Sequence, residues 1–304
     1  MAEGLCSGRV VVVTGAGNGI GRAHALAFAA QGAKVVVNDL GGSRDGTGSS
    51  AGPAQAVADE ITAAGGEAVA NTDDISSWAG AERLIGQAVD TFGGLDVVVN
   101  NAGILRDRMI VTMTEQDWDA VIAVHLKGTF AVLHHAAAYW RQRSKEGRAN
   151  DARVINTTSS SGLFANAGQG NYGAAKAGIA SLTIIGAREL DRYGVTVNAI
   201  APTALTRLTE DVPMMSDAAA ATELNPEHIS PLVVWLGSAE SRSVTGRVFG
   251  VWGNAITVLE GWVNGPSVSR DSQWDPAALS AVVPDLVAKA APNAGMLGTR
   301  KPVD

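Results

Sequence analysis

Tyr172 and Lys176 stand four residues apart in GQGNYGAAKAG, a segment that reads as the start of a helix. That spacing is about one helical turn, so a phenol and an amine project from the same face. A free phenol, with a pKa of roughly 10, exchanges protons poorly near neutrality. A neighbouring ammonium favours the phenolate, so the pair can work as a general acid/base on a substrate oxygen. Ser159, thirteen residues before Tyr172, adds a hydroxyl that can reach the same oxygen. YxxxK also occurs on solvated helix faces, and its chemical weight comes from what lies upstream.

Upstream, the run RVVVVT at 9–14 ends in GAGNGIG and opens into RAHALAFAAQG. A β-branched strand, a glycine loop and a helix in that order let phosphates approach main-chain N–H groups at the helix N-terminus. The spacing is not the strict G-x-G-x-x-G, because Ile20 holds the third glycine place counted from Gly15. Asp39 ends a second strand (33–39), 24 residues after Gly15. A carboxylate there accepts both ribose hydroxyls of an adenosine and repels a 2′-phosphate, which predicts NAD(H) over NADP(H). Arg22 and Arg44 are the nearby cations that argue otherwise. Asp74, after a third strand near 67–71, reads either as a partner of the adenine amino group or as a helix N-cap.

The elements that must position these groups alternate along the chain. Helical patterns near 54–65 and 77–92 follow strands two and three, and LDVVVN at 95–100 is a fourth strand. A long helical region covers 115–144, RVINTT at 153–158 is a fifth strand, and VTVNAIAP at 195–202 a sixth, with RVFGVWG at 247–253 as a seventh. Continuous apolar strands between helices predict a doubly wound, mostly parallel seven-stranded α/β sheet with helices on both faces. Residues 1–265 form the expected domain. Residues 266–304 form an extension packed on that domain or on a neighbouring subunit.

The chain has 304 residues, 46% of them hydrophobic, and a net charge of −7, which argues against a nucleic-acid surface. Its single cysteine, Cys6, excludes an intrachain disulfide and cysteine metal clusters, and fits a reducing compartment. The spacing of His24, His134, His135 and His228 implies no metal. No apolar run of membrane-spanning length stands out, and the N-terminus lacks the basic start and separate apolar region of a signal peptide. A cytoplasmic protein is expected.

TGAGNGIG, Asp39, Asp74, Asn100-Asn101-Ala102-Gly103, Ser159, Tyr172-xxx-Lys176 and Pro202 together resemble the short-chain dehydrogenase/reductase family, in order and spacing, over about residues 8–255. The resemblance implies a single Rossmann-type domain and hydride transfer between a nicotinamide and an alcohol/ketone pair. It implies cofactor contacts from Gly15, Asn18, Gly19, Ile20, Gly21, Asp39, Asp74, Ile75, Asn101, Ala102, Gly103, Tyr172, Lys176, Pro202 and Thr206. Tyr172 would then transfer the proton, Ser159 polarise the oxygen, and Lys176 also bond the nicotinamide ribose. Two departures stand out. His125, in VHLKG, holds the place where many members carry a relay asparagine, and Pro202-Thr203 replaces the usual Pro-Gly. His125 can hold a relay water through its ring or its backbone carbonyl, or be a packed histidine without a catalytic role.

NDLGG, NNAGILRDR, WDAVIAVHLKGTF, GQGNYGAAKAG and NAIAP are similar to the (3R)-hydroxyacyl-CoA dehydrogenase domains of peroxisomal multifunctional β-oxidation enzymes. That likeness implies NAD-linked oxidation of a (3R)-hydroxyacyl-CoA. The alternatives are a 17β-hydroxysteroid dehydrogenase, a 3-oxoacyl thioester reductase, or a catalytically idle NAD-binding subunit. Arg106 and Arg108 are candidate partners of a CoA phosphate. Homodimers or homotetramers are implied, or pairing with a related subunit.

Overall fold

The structure is a computed structural model that describes residues 4–204 and 224–299. Seven parallel strands form its centre: β1 (Val10–Thr14), β2 (Lys34–Asn38), β3 (Glu67–Asn71), β4 (Val97–Asn100), β5 (Ala152–Thr157), β6 (Val195–Thr203) and β7 (Val248–Trp252). They lie in the order β3-β2-β1-β4-β5-β6-β7, and an eighth strand, β8 (Ala255–Leu259), closes the far edge antiparallel to β7. The valine-rich strands alternate with helices because both of their faces are covered. Every residue of β1, β4 and β5 is buried.

One face carries α1 (Gly19–Ala30), α2 (Gly52–Ala63) and α8 (Ser230–Gly237), whose Phe28, Ile61 and Leu236 pack on Val11, Val35 and Val97. The other carries α3 (Trp78–Phe92), α5 (Gly128–Lys145) and α7 (Gly170–Leu190), with Leu84, Trp140 and Leu190 against Val12, Val98 and Val154. Trp140 is fully buried and its indole N–H donates to the Leu95 carbonyl at 2.8 Å, so it is a core residue. The expected long helical region is present as α4 (Glu115–Ile122) and α5, which run continuously through a π-helical stretch, Ala123–Lys127. Residues 115–145 are long and apolar enough to cross a membrane by composition, which the sequence reading had not singled out. In the fold, this run turns Val121, Val132, Leu133, Ala136 and Trp140 inward as a core helix does.

The sheet has eight strands rather than the expected seven. Gly253-Asn254 is a two-residue hairpin turn between Trp252 and Ala255, and it folds AITVL back along β7. Beyond β8, α9 (Leu279–Lys289) has no buried residue, and further on Gly298 lies against the Phe164 ring. That ring belongs to α6 (Ser160–Phe164).

Candidate active site

The sequence of crossovers reverses at β1, between β2 and β4, and a cleft opens there at the carboxyl ends of the strands. The glycine loop after β1 forms its floor. A Cβ on Gly21 would meet the Gly15 carbonyl oxygen at 2.1 Å and Asn101 Nδ2 at 2.5 Å, so only hydrogen fits. Asn101 braces this loop from the far side, its Nδ2 donating to the carbonyls of Thr14 at 3.0 Å and Gly15 at 3.2 Å. The Thr14 hydroxyl accepts from the backbone N–H of Asn101 at 3.0 Å and of Ala102 at 3.1 Å, tying the NNAG turn to β1. Asn18 is the N-cap of α1 with extended backbone but makes no side-chain cap bond. The first-turn amides of α1 therefore keep their donors for a ligand, the arrangement that suits a diphosphate.

Asp39 stands at the rim. Its Oδ2 accepts from Gly17 N–H at 2.8 Å and its Oδ1 from Gly41 N–H at 2.7 Å, which fixes the carboxylate at the end of β2. Asp74 lines the same cleft with Ile75, and its Oδ1 accepts from Ser76 N–H and Oγ at 2.8 and 2.7 Å. The N-cap of α3 is Ser77, so the capping alternative for Asp74 does not hold. Arg22 is spent on Glu60, with its Nη2 at 2.7 Å from both carboxylate oxygens. Gly15, Asn18, Gly19, Ile20, Gly21, Asn101, Ala102 and Gly103 all line the cleft. Pro202 sits in β6 opposite Val251, and Thr206 lies outside the described residues.

The 40–50 loop contributes lining residues that sequence reasoning missed, among them Leu40, Ser43, Arg44 and Gly46. It is drawn across by Leu105 N–H, which donates to the Arg44 carbonyl at 3.1 Å, and by Arg106 Nε, which donates to the Asp45 carbonyl at 2.8 Å. Arg106 thus closes a loop. Arg108 lies exposed with Nη1 on the Asp107 carbonyl.

The catalytic candidates converge beyond Gly103. Ser159 is the N-cap of α6, and its hydroxyl lies close enough to the phenol of Tyr172, near the start of α7, to lower its pKa. Lys176 is buried one turn later, with Nζ donating to the Thr157 carbonyl at 2.6 Å and lying 5.5 Å from the Tyr172 ring centroid. Thr158 Oγ1 donates to the Lys176 carbonyl at 2.6 Å and locks α7 onto the end of β5. The spacing therefore does bring phenol, amine and hydroxyl together. The electrostatics differ from the simple expectation that the ammonium lowers the phenol. Burial dominates both groups, pushing Tyr172 up to about 12 and Lys176 down to about 7, while the Ser159 hydrogen bond lowers the phenol and the nearby Asp107 charge raises it.

His125 is buried in the π-helical stretch, its ring edge-on to Tyr172 with centroids 5.1 Å apart. Its Nε2 is taken in either tautomer. Protonated, it donates to the Ile104 carbonyl at 2.8 Å; unprotonated, it accepts the Ile104 N–H at 3.1 Å. Nδ1 has no partner among the described residues, and burial first, then the Lys176 charge, lowers the ring to about 3. His125 is thus a neutral ring that pins Ile104 beside the phenol, and a relay water on Nε2 has no place.

The family model for short chain dehydrogenase matches residues 9–216. The chain belongs to the short-chain dehydrogenase family. It is 45% identical to hydroxyacyl-CoA dehydrogenase ChsB1 of Mycobacterium tuberculosis over 307 residues, covering 96% of this chain and 93% of that protein. It is 47% identical to peroxisomal multifunctional enzyme type 2 of Mus musculus over 244 residues, but spans only 31% of that longer protein. Among solved structures, a short chain dehydrogenase from Mycobacterium avium is 59% identical, with a TM-score of 0.87 over 96% of this chain and 99% of its own. This short-chain dehydrogenase is an oxidoreductase acting on CH–OH groups with a nicotinamide cofactor.

Proposed function

We propose that this dehydrogenase oxidises (3R)-hydroxyacyl-CoA esters to 3-oxoacyl-CoA esters with NAD, in the degradation of fatty acids or sterol side chains. The observation that carries the substrate class is the near full-length likeness to a hydroxyacyl-CoA dehydrogenase, across both the domain and its extension. Asp39 carries the cofactor preference. Its two oxygens are fixed by Gly17 and Gly41 at the rim, where a 2′-phosphate would meet a carboxylate, while Arg22 is held on Glu60. The uncapped first turn of α1 and the cradle at Gly21 fit the diphosphate of such a cofactor.

Bound there, the nicotinamide supplies the acceptor for the substrate's hydride. The chain's own residues handle the oxygen. Ser159 holds the substrate hydroxyl, and Tyr172 as phenolate takes its proton. Lys176, held by the Thr157 carbonyl, supplies the cationic charge that opposes the cost of a buried phenolate. Bringing the phenol from about 12 to a working value near 8 takes about 4 pKa units, or roughly 5 kcal/mol. A unit charge 5.5 Å away, at an effective dielectric of about 20, contributes roughly 3 kcal/mol of that. The Ser159 hydrogen bond is already part of the value near 12, so the remainder falls to the charge of the oxidised cofactor.

A homo-oligomer is part of the same reading, supported by exposed apolar side chains on α4, α5 and α7, namely Trp118, Phe130, Ile184 and Ile185. A cytoplasmic setting is supported by Cys6, a buried free thiol. Turnover of (3R)- and (3S)-3-hydroxyacyl-CoA and of 17β-hydroxysteroids, each with NAD and NADP, tests the proposal. Preference for the (3R) ester with NAD is expected. Faster oxidation of the steroid, or equal use of NADP, would overturn the substrate or the cofactor assignment respectively.

A further inference from the structure

Asn171 directly precedes Tyr172 and is completely buried, although asparagine is a poor helix residue and sits here in the first turn of α7. Its amide joins three separate segments. Nδ2 donates to the Arg106 carbonyl at 3.0 Å and to the Asp117 carbonyl of α4 at 3.1 Å. Oδ1 accepts the Tyr172 backbone N–H at 2.7 Å, which supplies the first turn with the side-chain acceptor that its N-cap, Gln169, does not. Two further bonds close the same seam. Gln169 Nε2 donates to Asp107 Oδ2 at 2.8 Å, and Arg108 N–H to the Gly168 carbonyl at 2.8 Å.

The 104–108 loop is therefore anchored at both ends around the phenol. Ile104 is held by His125, whose ring edge meets Tyr172, and Arg106 is held by Asn171, whose backbone neighbour is Tyr172 itself. We propose that Asn171 is a positioning residue: its amide fixes the Tyr172 phenol against the 104–108 loop and α4, and so sets the geometry of proton transfer. A purely structural amide would give stability alone. One that sets proton-transfer geometry gives turnover, because reacting groups displaced by about 1 Å can lose on the order of 100-fold in rate. The inference rests on the assignment of Tyr172 as the proton-transferring group, and on no particular substrate.

The experiment compares the full chain with Asn171→Ala and Asn171→Ser, saturated with NAD, on any secondary alcohol that the parent oxidises. Serine retains an acceptor for the helix N-terminus but cannot span both carbonyls, so it remains informative if the alanine variant does not fold. The expected result is a fall in kcat of about tenfold or more and a larger solvent deuterium isotope effect on kcat, as proton transfer becomes slower. NAD affinity, read by protein fluorescence, should stay within about twofold of the parent. Parent-like kcat and isotope effect in a folded variant would overturn the proposal, as would a loss of activity that follows weaker NAD binding. Parent activity on the hydroxyacyl-CoA panel reports separately on the substrate assignment, and the variant-to-parent ratio reports on Asn171.

Discussion

Gly103→Ala offers a sharp check on the way the nicotinamide-side turn and His125 are packed. A Cβ built on Gly103 would lie 2.4 Å from His125 Cε1, 3.1 Å from Nε2 and 3.2 Å from Nδ1. The ring cannot simply retreat, because it is buried, bonded to Ile104 at 2.8 Å and set edge-on against Tyr172. Overpacking of this kind costs about 1–3 kcal/mol. Unmaking the buried Nε2 bond adds about 1–3 kcal/mol. For a chain of this size that corresponds to a fall in Tm of roughly 3–9 °C. Asparagine at 125 lacks the Cε1 that collides, so His125→Asn should make Gly103→Ala tolerable. Urea unfolding of the parent, both single variants and the double variant closes the cycle. A favourable coupling of about 1–3 kcal/mol is expected between the two sites. Additivity within about 0.5 kcal/mol would show that His125 is not what Gly103 accommodates, and the packing argument would fail.

Two other outcomes follow from the site. Lys176→Met removes the ammonium that opposes the buried phenolate. The active form for oxidation is the deprotonated one, so activity rises with pH, and loss of a cation 5.5 Å away should move that rise upward by roughly 2 pH units. A pH profile of kcat/KM checks it, and a limb displaced by less than about 0.5 unit contradicts the role given to Lys176. Asp39→Ala should weaken NAD binding and relax discrimination against NADP, read as the ratio of kcat/KM for the two cofactors. An unchanged ratio would remove Asp39 as the ribose ligand.

Much of this was legible in the chain because runs such as VVVV can only be strands covered on both faces, and each ended in a residue with a chemical use. Thr14, Asp39 and the NNAG turn meet at the carboxyl edge of β1, β2 and β4 because parallel strands deliver their ends to one side. The pairing of Tyr172 with Lys176 followed from one helical turn. What escaped notice depends on tertiary contacts. β8 hides behind a Gly-Asn hairpin at 253–254 and pairs only with β7. The bond from Arg106 Nε to the Asp45 carbonyl joins segments 61 residues apart. The sense of the Tyr172 shift reversed because burial is a property of the folded site, whereas spacing reports only that two groups are near. Asn171 left one signal, a buried amide where the helix pattern had no need of one.

The most direct test of the whole account is single-turnover oxidation by Tyr172→Phe with NAD bound. The variant loses one oxygen and keeps the ring that faces His125, so folding and NAD affinity should match the parent. The expected result is a loss in turnover of at least about 100-fold at neutral pH, the scale of a missing general base. Turnover within about tenfold of the parent would contradict the assignment of Tyr172 as the group that moves the proton.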